Sequence, residues 1–288
     1  MEKNTPQVIL ITGCSSGFGL LTAARLASKG HHVVGTMRDL NKRAALEAEV
    51  KKRGGVIDIL RLDVRDKHSI QETIKEIGSK YGYIDVLVNN AGYAVGGFFE
   101  DLTEEEIRDL IETNFFGVQN VIREALPLMR PRKKGKIINI SSVSGFYGSP
   151  CFGAYNASKW ALEGFSESLR HELKPFGIDV LLIEPGMYKT KIFYENARTA
   201  KNFHNEESPY YGFSKSLEQR VRQKVDDCHK NPEDISILVE KLINAKNPAF
   251  RNIPDIESQI FYLLRKFLPE RVFNRMIYSA LYAEIKKN

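Results

Sequence analysis

In the stretch GAYNASKWALEGF (153–165), a phenol, an amide, a hydroxyl and an ammonium stand at the head of an apolar helical pattern. Tyr155 and Lys159 are four residues apart, so a helix sets one above the other on the same face. A phenol with an ordinary pKa near 10 is a poor acid or base at neutral pH. A positive charge about 4 Å away contributes about 4 kcal/mol at an effective dielectric of about 20, which lowers the phenol's pKa until desolvation opposes it. Such a pair can give a proton to a carbonyl oxygen, or take one from an alcohol in reverse. Taken singly, an interface tyrosine and a surface lysine are ordinary residues, so the elements that carry them decide.

A second cluster lies near the N-terminus. VILITGCSSGFG places Gly13, Gly17 and Gly19 directly after an apolar strand and at the opening of a helix. Glycines let the backbone approach a pyrophosphate, whose charge then meets the helix N-terminal amides. The spacing departs from G-x-G-x-x-G, and an ordinary Gly-rich turn is the plain alternative. Its position as the first strand–turn–helix of a repeating pattern favours the phosphate reading.

That pattern runs along most of the chain. Apolar runs at 8–12, 32–37, 57–62, 85–90, 136–141 and 178–185 alternate with amphipathic segments. Helices are expected from about Phe18 to Lys29, up to about Arg53, from Lys67 to Tyr81, near 103–130, and over the Tyr155 segment. Runs this uniformly apolar suit parallel strands buried on both faces. The expectation is an α/β, doubly wound, mainly parallel Rossmann-like sheet with helices on both faces. A single dinucleotide-binding catalytic domain is expected over 1–254. Residues 187–232 read as a largely irregular substrate-lid insertion after a strand's carboxyl end. Residues 255–288 read as a helical C-terminal extension interrupted by Pro269.

Composition narrows the classes. The 288 residues carry a net charge of +6, with 42% hydrophobic residues, which suits a globular chain with a sizeable core. RPRKKGK (130–136) is the dense basic run, read as a solvated loop, and no nucleic-acid motif accompanies it. Cys14, Cys151 and Cys228 form no CxxC pair and fit a reducing compartment. The polar start MEKNTPQ is unlike a secretory signal, and no apolar run approaches the roughly 20 residues that span a bilayer. A cytoplasmic protein is expected, free or held to a membrane from one side. Scattered histidines without H-E-x-x-H argue against metal catalysis, and SSVSG is not a G-x-S-x-G nucleophile elbow.

The motifs TGCSSGFG, LDV (62–64), NNAG (89–92), TNFFG (113–117), ISSVSG (140–145), YNASK (155–159) and PGMYKT (185–190) follow one another over residues 6 to 190. In this order the sequence resembles the short-chain dehydrogenase/reductases of the Tyr-x-x-x-Lys form, nearest in look to the hydroxysteroid and retinol dehydrogenase branch. The resemblance implies that Tyr155 is the general acid/base and that Lys159 also holds the nicotinamide ribose. It implies that Ser142 bonds the substrate oxygen and that the carbonyl of Asn114 helps hold a water in a proton relay. Ser141, Ser144 and Ser158 are read as structural. The cofactor would meet Gly13, Ser15, Ser16, Gly17, Phe18 and Gly19, then Asp63 and Val64 at the adenine. Asn90, Ala91 and Gly92, then Tyr155 and Lys159, and finally Pro185, Gly186 and Thr190, would complete its site. A homo-oligomer is implied in the same way.

Strand-end Met37 cannot accept a ribose hydrogen bond, and Arg38 offers a fork for a 2′-phosphate, so NADP(H) is favoured. A one-residue change of register would bring in Asp39 and favour NAD(H). Phe146, Tyr147, Phe152, Met187, Tyr188, Phe193 and Tyr194 form a broad lipophilic pocket or simply pack the loop. The expected function is hydride transfer between nicotinamide and a ketone/secondary alcohol or aldehyde/alcohol pair, on a steroid, retinoid or fatty carbonyl. Reduction is favoured because NADPH pools are kept reduced. The alternatives are a reductase of 3-oxoacyl thioesters or sugars, a sugar epimerase, and a non-catalytic dinucleotide sensor. The intact Tyr155–Lys159 pair argues against the sensor. The tail, with apolar Phe261, Leu263, Leu264, Phe267 and Leu268 beside basic Arg265, Lys266, Arg271 and Arg275, covers the cleft, joins subunits or lies on a membrane.

Overall fold

The computed structural model describes residues 5–190 and 198–282. Strand β1 (Val8–Ile11) lies at the centre, fully buried along its length. From it the chain runs outward through β2 (His32–Met37) and β3 (Ile57–Arg61), then returns to the other side of β1 as β4 (Val86–Asn89). A short β5 (Val95–Gly96) precedes β6 (Gly135–Ile140) and β7 (Ile178–Ile183). After β8 (Arg198–Thr199), β9 (Arg251–Asn252) closes a seven-strand sheet in the order β3-β2-β1-β4-β6-β7-β9. Every pairing is parallel, as uniformly apolar strands require. The strand order reverses between β1 and β4, where a parallel sheet opens a crevice at its carboxyl edge.

Successive side chains of a strand point to opposite faces, and the helices divide accordingly. Val8 and Leu10 pack with α3 (Lys67–Tyr81), α5 (Gly117–Met129) and α6 (Gly153–Leu173) through Ile70, Val121, Leu162 and Leu169. Ile9 and Ile11 pack with α1 (Gly17–Ser28), α2 (Ala44–Lys52) and α8 (Glu233–Asn244) through Ala23, Leu26, Leu46 and Val239. Helix α4 (Glu104–Ile111) starts at a Thr103–Glu106 capping box and runs into α5 through a π turn, Glu112–Phe116.

Between β7 and β9 the structure departs from the expected irregular stretch. β8 pairs with β5, and α7 (Tyr211–Asp226) is a regular helix of 16 residues. Its apolar positions, Leu217, Val221 and Val225, recur one turn apart but are diluted by charge. Beyond β9, α9 (Ile256–Phe267) and α10 (Glu270–Tyr282) flank Pro269, as expected for a residue that cannot continue a helix. Phe193 and Tyr194 lie outside the described residues.

Candidate active site

A cleft of about 1150 Å³ opens at the crevice between β1 and β4. Its first wall is the loop after β1. Gly13 has φ +74, and a Cβ there would come within 2.8 Å of Ala91 Cα. A Cβ on Gly19 would meet the Gly13 carbonyl oxygen and Asn90 Nδ2, both at 2.4 Å. Gly19 therefore does not line the cleft; it lets α1 start hard against the loop. Gly13, Ser15, Ser16, Gly17 and Phe18 do line it. Across the reversal, Asn90 Nδ2 donates to the carbonyls of Thr12 and Gly13, each at 3.0 Å. The amides of Asn90 and Ala91 both donate to Thr12 Oγ1.

These features fit a dinucleotide. Ser16 makes no side-chain capping bond and the first turn of α1 holds no acid, so the helix dipole there meets an anion without a competing carboxylate. Gly17 has φ +59, and a Cβ there would find no heavy atom nearer than Thr190 Cβ at 4.0 Å. Asp63, Val64, Asn90, Ala91, Gly92, Pro185, Gly186 and Thr190 continue the wall. At its far end Met37, Arg38 and Lys42 line the cleft. Asp39 does not; its carboxylate accepts the Asn41 amide at 3.0 Å and caps the short turn Leu40–Lys42. Lys42, one turn beyond Arg38, was missed in the sequence although its basic type and spacing signal it.

Helix α6 carries the chemistry and is pinned to the sheet by a buried amide chain. Asn89 Nδ2 donates to Asn139 Oδ1 (2.8 Å), and Asn139 Nδ2 donates to Ser166 Oγ (2.9 Å). Tyr155, Lys159 and Glu163 follow on one face at successive turns. Lys159 Nζ stands 5.7 Å from the Tyr155 ring centroid and donates to the Ile140 carbonyl at 2.8 Å. Ser142, at the end of β6, bonds the Tyr155 hydroxyl, accepts from the Ser144 amide at 3.2 Å, and faces the Pro185 carbonyl. The three side chains thus converge in the cleft.

The electrostatics differ from the simple expectation of a lysine-acidified phenol. Burial pushes the Tyr155 phenol up to about 12, with the Ser142 bond opposing. Burial pulls the Lys159 ammonium down to about 8, with the Glu163 charge opposing. Desolvation wins because the ammonium gives its hydrogen bond to a backbone carbonyl rather than to the phenol. At neutral pH the phenol is held protonated, as a proton donor must be.

Asn114 stands apart from this group. It is buried in the π turn, and its neighbour Thr113 lines the cleft instead. Asn114 Nδ2 donates to the Tyr93 carbonyl (2.9 Å) and to Ser158 Oγ (3.2 Å), and its Oδ1 accepts the Tyr93 amide. Behind Lys159, Glu163 accepts from Ser141 and shares Arg251 with Glu184. Burial pushes Glu184 up to about 7, with the Glu163 charge adding to it and Arg251 opposing. This charge layer joins residues 88 and 67 positions apart, and nothing local in the sequence announces it.

The remaining wall is apolar. Tyr147, Phe152, Met187 and Tyr188 line it as expected, joined by Leu217 and Val221 of α7, Phe261 of α9 and Ile277 of α10. Phe146 sits behind, edge-on to Tyr262 at 5.1 Å. Arg198, Arg220 and Lys224 add basic groups to the lid side.

Residues 7–201 match the family model described as short chain dehydrogenase. The chain is 38% identical to a 3-ketodihydrosphingosine reductase of Bacteroides thetaiotaomicron, over 93% of this chain and 95% of that protein. It is 34% identical to retinol dehydrogenase 8 of Bos taurus, over 86% and 81%. Among solved structures, a Burkholderia phymatum short chain dehydrogenase/reductase in complex with NAD superposes with TM-score 0.80 at 26% identity, covering 92% and 95%. A metagenomic short-chain oxidoreductase in complex with NADP gives TM-score 0.67 at 28% identity, covering 88% and 96%. With its parallel sheet, glycine loop and converging Tyr155, Ser142 and Lys159, the chain belongs to the short-chain dehydrogenase/reductases and is an NAD(P)-dependent oxidoreductase.

Proposed function

We propose that the protein is an NADP(H)-dependent reductase of lipophilic ketones or aldehydes, working in reverse as an alcohol dehydrogenase. The observation that carries this reading is the Ser142–Tyr155 hydroxyl pair in the cleft with Lys159 one turn away. The nicotinamide cofactor supplies or takes up the hydride. Ser142 orients the substrate oxygen, and Tyr155 gives that oxygen its proton as the carbon is reduced. Lys159 holds the ribose side of the cofactor and keeps a positive charge beneath the phenol. Asn114 acts through its main-chain carbonyl in a relay, its side chain being committed to Tyr93 and Ser158.

NADP(H) is supported by Arg38 and Lys42 in the cleft wall, while Asp39 is spent on its own turn. A lipophilic substrate is supported by the Tyr147, Leu217, Val221 and Phe261 wall, and by relatives whose names specify a ketosphingoid and a retinol. We assign residues 1–254 to the catalytic unit, 187–232 to its lid and 255–288 to an extension. The exposed rings of Phe116 and Trp160, beside and on the long central helices, support a homo-oligomer.

The test is NADPH consumption across steroids, retinal, long-chain ketones, 3-oxoacyl thioesters and sugars. Turnover confined to thioesters or sugars would overturn the substrate class. Arg38→Ala should lower kcat/KM for NADPH about tenfold or more while sparing NADH, as loss of a charge-assisted phosphate contact predicts. An unchanged preference would remove Arg38 from the site.

A further inference from the structure

The two tail helices present opposite faces to different surroundings. Inward, Phe261 meets Tyr147 edge-on at 4.5 Å and the buried Phe273 at 5.3 Å, and both Phe261 and Ile277 line the cleft. Asp255 caps α9, and its carboxylate also accepts from the Gly186 amide at 3.4 Å, tying the tail to the cleft rim. Outward, Ile256, Ile260, Leu263 and Phe267 are 75, 53, 51 and 72% exposed. They recur at helical spacing and form one narrow stripe along α9. Val272 and Tyr278 of α10 extend the exposed apolar surface.

Large apolar side chains gathered this way mark an interaction surface rather than the usual scatter. The charges beside them specify its partner. Asp255 and Glu257 are both bonded by Lys230, at 2.7 and 2.8 Å. Lys230 offsets one of those two charges, so among the described tail residues Glu257 and Glu270 stand against Arg265, Lys266, Arg271 and Arg275, and the balance stays positive. Lys266 lies over the exposed Phe267 ring at 5.5 Å, so cation and apolar group share one patch. A second copy of the chain docked across a two-fold axis would set these cations against one another. An anionic bilayer surface accepts both the apolar stripe and the basic flank.

We propose that the exposed α9 stripe, with Lys266, Arg271 and Arg275, docks the protein peripherally onto the anionic leaflet of a membrane. The inference stands on the tail alone and does not depend on the substrate class.

Sedimentation of the full chain with phosphatidylcholine vesicles, with and without about 30% phosphatidylglycerol, tests it. Wild-type protein should partition onto the anionic vesicles at least about tenfold more strongly than onto neutral ones, with high salt removing the difference. Leu263→Glu with Phe267→Glu should abolish partitioning while NADPH-dependent turnover of a water-soluble ketone stays at the wild-type level. Arg271→Glu with Arg275→Glu should remove the anionic preference. No wild-type partitioning, or equal partitioning of the Leu263/Phe267 variant, would overturn the proposal. So would light scattering that shows a self-associated protein split by that variant without any vesicle binding.

Discussion

The loop wall of the cleft, from Gly13 to Gly19 and Asn90 to Gly92, is held by polar bonds and by backbones in direct approach. Thr12 and Asn90 between them make four hydrogen bonds of 3.0 Å there, and no Cβ can be added at Gly13 or Gly19 without displacing backbone or a bonded amide. The lid wall, from Met187 and Tyr188 to α7 and the tail, meets the cleft mainly with aliphatic and aromatic side chains, such as Phe261 edge-on to Tyr147, and its polar ties lie at the rim. Directional bonds tolerate one geometry, whereas apolar packing accepts side chains of similar volume. The first wall therefore suits a constant cofactor and the second a substrate that differs between relatives. Tyr155 sits where the two meet, packed against the third apolar cluster with Phe152 and Leu217.

Substitutions on the two walls should consequently fail in different ways. Gly19→Val drives a side chain into the Gly13 carbonyl, an overpacking that costs about 3 kcal/mol or more. Its melting temperature should drop and no longer respond to added NADPH; a normal melt with a normal NADPH shift would break the contrast. A smaller effect is expected from pH. Lys159, drawn down to about 8 by burial, loses its charge as pH rises through that value, so carbonyl reduction should decline above it. Alcohol oxidation needs Tyr155 to release a proton that burial holds tightly, so it should increase with pH over the same interval. Rates in both directions from about pH 6 to about pH 10 check this, and parallel profiles would contradict the acid/base assignment. Smallest should be Phe261→Ala on the lid wall. It should raise KM for a long-chain ketone about fivefold and leave kcat within about twofold, the pattern of lost uniform binding. A kcat loss as large as that of a loop-wall variant would erase the distinction.

Sequence pattern revealed the two walls unequally, for related reasons. The strands, the glycine loop and the Tyr155 helix carry local signals: apolar runs, positive-φ glycines and a four-residue spacing. Helix α7 hides its buried Val225 and its cleft-lining Leu217 and Val221 among eight charged or amide residues. β9 is two residues long and pairs through the Phe250 and Asn252 carbonyls, which no side-chain pattern records. The π turn at Asn114 and the Glu163–Arg251–Glu184 layer arise from distant partners meeting in space. Desolvation of Tyr155 and Lys159 has the same origin. Spacing alone shows that a cation stands near a phenol but not how much water both have lost.

If Tyr155 transfers the proton in a site whose cofactor cradle is built without its hydroxyl, losing that hydroxyl should cost turnover and spare cofactor affinity. Tyr155→Phe keeps the ring and removes the hydroxyl, so kcat for carbonyl reduction and the Kd for NADPH should be measured on the same preparation. The expected result is a kcat loss of about a thousandfold with the Kd within about twofold. A variant that binds NADPH normally and retains near wild-type kcat would contradict it.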